Sequence, residues 1–144
     1  VLSYFNRKPK TSRYAPNAGT VTFATATIST EISATFRNQF ITWGDEYVTG
    51  AANISAYCSG ATQNPAYIII RQDNVATSYA NTMAQTYESN SIKAVQVPIV
   101  VPTTTENANH NVSIYAISSA NALQVLSQGA GNLTETFTTV TVMG

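Results

Sequence analysis

Two side chains in this sequence of 144 residues could bring sulfur or imidazole chemistry to a reaction, and each type occurs once: Cys58 and His110. A thiol nucleophile needs a neighbouring base or positive field to become a thiolate. Cys58 closes the stretch YVTGAANISAYC, residues 47–58, in phase with Val48, Gly50, Ala52, Ile54 and Ala56. It therefore reads as a small buried hydrophobe. His110 falls in the polar stretch 103–111, read as a loop that leaves the imidazole solvated. A single cysteine forms no intramolecular disulfide and excludes a multi-cysteine metal site. The acids Glu31, Asp45, Glu46, Asp73, Glu88, Glu106 and Glu135 are scattered, and the one adjacent pair, Asp45-Glu46, has turn chemistry. No calcium-loop spacing, Gly-rich phosphate loop, Gly-x-Ser-x-Gly or His-x-x-x-His occurs. The sequence predicts no enzyme, no metal and no cofactor. Asn53, Asn111 and Asn132 each open a glycosylation triplet, a pattern frequent by chance in a chain this rich in Asn and Thr.

Charge is more informative. Arg7, Lys8, Lys10 and Arg13 all precede the first acid, Glu31; removing those four from the seven basic residues leaves three against seven acids, a net of minus four over residues 14–144. A basic arm thus precedes a mildly acidic body. Residues 1–19 lack periodicity and carry Pro9, Pro16 and Gly19, which marks them as an extended arm outside the core. Two uses suit the arm. Its four cations could neutralise phosphates of an encapsidated genome, or Tyr4 and Phe5, with Val1 and Leu2, could dock on a neighbouring subunit or a capsid or fibre scaffold.

The elements that would position any site are strands. Charged residues are 10% of the chain against a typical ~25%, with threonine, serine, asparagine and alanine in their place. Such a composition suits β-structure and a surface covered by copies of the same chain. Residues 47–58 alternate cleanly and read as the central strand, with Gly50, Ala51 and Ala52 as a place where another strand packs closely. Residues 20–36 change phase near Ala24, with another break at 29–31; 39–43 form a short aromatic strand; 66–71 are apolar on both phases; Asp73-Asn74 is a hairpin turn. Residues 81–90 are ambiguous, tolerating a helical turn but reading better as a polar loop, with 92–101 as a strand near an edge because of Pro98, and 112–118, 122–126 and 135–143 as the closing strands. The expected fold is all-β: a jelly-roll type antiparallel sandwich of eight to nine strands over residues 20–144. Trp43, Tyr67, Ile69 and Tyr115 are the candidate assembly contacts. No run of 18 apolar residues occurs, so no membrane insertion is expected, and nothing resembles an uncleaved signal peptide, as in a chain already processed.

The order of these features resembles the globular heads of the complement-component and tumour necrosis factor family, including those of phage fibres and spore filaments. The resemblance runs over about residues 35–144, through Phe40 and Trp43, Gly44-Asp45-Glu46-Tyr47, the YIII strand with Asn74 at the next hairpin tip, VPIVV, VSIYAIS, the turn into residues 123–126 and the strand of Phe137. It implies a compact homotrimer with a binding surface in the outer loops. The basic arm ahead of such a domain resembles, more loosely, small viral jelly-roll coat proteins. The expected role is a non-enzymatic structural protein of a virion or extracellular surface: a capsid component, decoration protein or fibre head. A filament subunit that donates residues 20–28 to the next copy is one rival. The other is a receptor- or glycan-binding head that attaches to a host through loops 59–65 and 103–111.

Overall fold

A computed structural model of the chain describes residues 10–42, 46–60, 63–74, 79–89, 91–104, 108–129 and 135–143. Alternation of β-branched and apolar residues produces eleven strands there: β1 (Lys10–Tyr14), β2 (Asn17–Phe23), β3 (Ala26–Glu31), β4 (Asn38–Thr42), β5 (Glu46–Cys58), β6 (Asn64–Gln72), β7 (Tyr79–Tyr87), β8 (Lys93–Thr104), β9 (Ala108–Ser118), β10 (Leu123–Gln128) and β11 (Phe137–Met143). Every pairing between them is antiparallel.

The eleven strands occupy eight positions. β1 pairs with β11 and β2 with β10, while β11 and β10 lie end to end along one edge of β5. β3 and β4 likewise share one edge of β9. Sheet A is therefore β1/β2, β11/β10, β5, β8, and sheet B is β4/β3, β9, β6, β7. Numbered along the chain, these positions run 1-8-3-6 and 2-7-4-5, the two interleaved sheets of an eight-stranded jelly roll. The expected eight to nine strands thus undercount the strands. The cause is that three positions are each interrupted: at Ala15-Pro16, at a 3-10 turn over Ala34–Phe36, and between Gln128 and Phe137.

β5 is the centre of sheet A. Val48, Ala52, Ile54, Ala56 and Cys58 face a core completed by Ile68 and Ile70 of β6, Val97 and Ile99 of β8, and Val112 and Ile114 of β9. Burial of each large aliphatic side chain contributes about 1.5–3 kcal/mol. Where β10 leaves β5 and β11 has not yet joined it, a side chain fills the gap: the Ser55 N–H donates to Thr136 Oγ1 at 3.2 Å, and that hydroxyl donates to the Leu126 carbonyl at 2.7 Å. The close packing expected at Gly50 comes from β11, because a Cβ there would stand 1.8 Å from the Thr139 carbonyl oxygen.

Several expectations are corrected. Residues 10–19, expected outside the core as arm, enter sheet A as β1 and the start of β2. Residues 81–87 are strand rather than loop, because Tyr87 and its alternating neighbours pair with β6; Tyr87 is fully buried. Residues 108–111 belong to β9, not to a loop, because they pair with β4. The break placed at 29–31 falls later, at the turn whose start Ser33 caps by accepting the Thr35 N–H. The phase change at Ala24 is where β2 ends and β3 begins. The chain does turn at Asp73-Asn74, directly after β6, with φ of 55° and 60° at the two residues, left-handed values that Asp and Asn tolerate better than most side chains.

Candidate assembly surface

The outward face of sheet B gathers three of the four residues expected to make assembly contacts. Alternation along β6 sends Ile68 and Ile70 into the core and Tyr67, Ile69 and Arg71 outward. Register then sets Tyr67 opposite Ile117 and Ala84, and Ile69 opposite Tyr115 and Thr82. Tyr67 is 50% exposed, whereas Ile69 is only 5% exposed although it lies outside the core cluster. Ile69 is thus covered by its own neighbours, and Tyr67 carries the exposed apolar surface of this face.

A polar rim closes one end of this patch. The Arg71 guanidinium lies 4.6 Å from the Tyr115 ring centroid, a cation–π stack that orders both side chains. Asn74, in the turn directly after β6, donates to the Tyr115 hydroxyl at 2.9 Å and also to Glu31. Glu31 receives Arg37 through both carboxylate oxygens, at 2.9–3.2 Å. The hydrogen bonds and charge of Glu31 hold the Arg37 guanidinium above its ordinary pKa. Tyrosine and arginine around a charge-poor apolar centre is the composition of a protein–protein contact.

The turn at Asp73-Asn74 is tied to β9 by residues that sequence reasoning left apart. Asp73 accepts the Asn111 N–H at 2.8 Å through Oδ1 and lies 2.6 Å from His110 Nδ1 through Oδ2. His110, expected to be solvated, is 6% exposed and stacks on Phe40 with ring centroids 5.6 Å apart. The only signal in the sequence was the turn itself, since 37 residues separate the partners. Cys58 is buried as expected, its Sγ 3.5 Å from the Tyr87 carbonyl. Among the described residues no group of three or more His, Cys, Asp or Glu side chains could hold a metal, and no helix is long and apolar enough to cross a membrane.

Of the arm residues, Tyr4, Phe5, Arg7 and Lys8 lie outside the described residues, as does Trp43. Lys10 opens β1. Arg13 pairs with Glu135 and lies over the Phe137 ring at 4.2 Å, so its charge is engaged within the sheet.

The fold defines an all-β jelly-roll protein. No protein-family model matches the chain, and no curated protein matches it in sequence. Among solved structures it is similar to Eiger TNF from S. frugiperda, with a TM-score of 0.58 and 9% identity over 96% of this chain and 94% of that one. It is also similar to a chain of infectious bursal disease virus, in the Gx strain (TM-score 0.51, 12% identity) and in the Gt strain (TM-score 0.52, 9% identity). The chain covers only 36–37% of the length of those viral chains. At these identities the likeness is one of fold.

Proposed function

We propose that the chain is a non-enzymatic structural subunit of a virus or phage particle, a capsid component, decoration protein or fibre head, that associates with copies of itself through the outer face of sheet B. The observation that carries this reading is the packed patch of Tyr67, Ile69, Tyr115 and Ile117 rimmed by Arg71, Asn74, Glu31 and Arg37. The occurrence of the fold in a viral chain and in a TNF head supports it. A trimer is the expected state, with residues 1–9 as the docking arm, on a neighbouring subunit or on a capsid or fibre scaffold. Genome contact is the weaker use of the arm, because Arg13 is committed to Glu135. The filament rival loses support because residues 20–23 and 26–31 are built into the chain's own sheets by β10 and β9. The glycan-head rival loses part of its second loop to β9.

Native mass spectrometry of the full chain at micromolar concentration tests the proposal. A closed oligomer is expected, reduced to monomer by Tyr67→Glu, whose half-exposed position leaves the thermal midpoint within a few degrees. A monomeric wild type, or an oligomer indifferent to Tyr67→Glu, rejects this surface.

A further inference from the structure

β1 and β4 are the outermost strands of their sheets on the same side of the sandwich, and a buried amide ties them together. Asn38, 1% exposed, donates to the carbonyls of Ser12 and Thr138 at 3.0 and 3.2 Å and accepts from the Ser12 hydroxyl at 2.9 Å. Beyond this tie the seam opens into a groove of about 290 Å³ lined by Phe40, Ile41, Val140 and Val142, with Lys10 at its end. The volume falls at the small end for a ligand pocket. Its apolar walls suit the side chains of an extended peptide that pairs with a strand edge, the mode in which backbone hydrogen bonds supply affinity and pockets take alternate residues.

The chain itself carries such a peptide. Residues 1–9 precede β1, and Val1, Leu2, Tyr4 and Phe5 make their first five positions largely apolar. Nine extended residues reach roughly 30 Å. That exceeds the five-residue β1, so the segment is long enough to cross to a neighbour.

We infer that the β1–β4 seam receives the apolar N-terminal segment of a second copy, with Tyr4 or Phe5 in the groove. This rests on the self-associating reading above and names an acceptor for its arm. The test uses the full chain with a photoreactive benzophenone side chain in place of Phe5, irradiated at micromolar concentration and mapped by mass spectrometry. Cross-links between two copies joining position 5 to residues 39–42 or 140–142 are expected. Their yield falls about tenfold with Ile41→Glu, which sets a charge against an apolar wall; Ile41 is 51% exposed, so the fold survives the change. Cross-links confined to one chain, directed elsewhere, or unaffected by Ile41→Glu overturn the inference. An oligomer without seam cross-links rejects the seam alone, whereas a monomer rejects both readings.

Discussion

Gly50→Ala probes the centre of the fold. The added Cβ would lie 1.8 Å from the Thr139 carbonyl oxygen, 2.8 Å from its carbon and 3.1 Å from Val140 Cα, all backbone atoms that no rotamer can move. A tolerable carbon–oxygen contact is roughly 3.3 Å, so β11 must retreat by about 1.5 Å from β5. Ladder bonds near 2.9 Å do not survive that displacement. Losing two or three of them costs about 1 kcal/mol each, and fully buried Val140, opposite Gly50 in register, loses packing as well. Reduced freedom of the unfolded chain returns somewhat under 1 kcal/mol. The net cost is about 3 kcal/mol, a large share of the ~5–15 kcal/mol of a typical domain. With a urea dependence of about 2 kcal/mol/M, the unfolding midpoint falls by about 1.5 M. The control is Gly60→Ala, where the added Cβ meets only the side-chain end of Asn121. Asn121 holds Asn64 through its backbone, so its side chain is able to turn away, and the cost stays below about 1 kcal/mol. Equal midpoints for the two variants would refute the account of β5.

Burial pushes the Tyr87 phenol up to about 12. The unfolded chain ionises near 10, so this contribution is intact below pH 10 and declines between pH 10 and 12, by up to about 3 kcal/mol. Tyr87→Phe removes that slice of alkaline sensitivity. The buried Tyr87 hydroxyl has no hydrogen-bond partner among the described residues, so the same variant is expected to gain about 1 kcal/mol at neutral pH; a loss in chemical denaturation would contradict this. At the seam, Asn38→Ala forfeits three hydrogen bonds and costs about 2–3 kcal/mol. Asn38→Asp, of nearly equal shape, turns an acceptor toward the Ser12 and Thr138 carbonyls and costs more. Thermal midpoints that rank the aspartate above the alanine variant would remove the tie from the account.

Much of the local structure was legible in the sequence. Val48, Ala52, Ile54 and Ala56 of β5 announce their inward face, and Cys58 joins them as a buried side chain. Asp73-Asn74 announces its turn because few residues accept two consecutive positive φ angles. The low charge announces strands. Where polar residues dominate the outward phase, as in β7 and the start of β9, the pattern looks like loop, and Tyr87 and His110 were misread for that reason.

Alternation is a property of neighbours in the chain, so the sequence by itself determined the extended segments whose apolar phase is clean, such as residues 47–58, and which side of them faces the core. Pairing is a property of residues tens of positions apart. Only the tertiary structure decided that eleven strands share eight places, that Gly50 is small because the Thr139 carbonyl stands over it, and that Asp73 reaches His110. The surface was half visible. Tyr67 and Ile69 were suspected from a strand apolar on both phases and Tyr115 from the alternating strand 112–118, but the register that sets Ile69 beside Tyr115 and brings Asn74, Glu31 and Arg37 to its rim arises from long-range hydrogen bonding. No local period encodes that register.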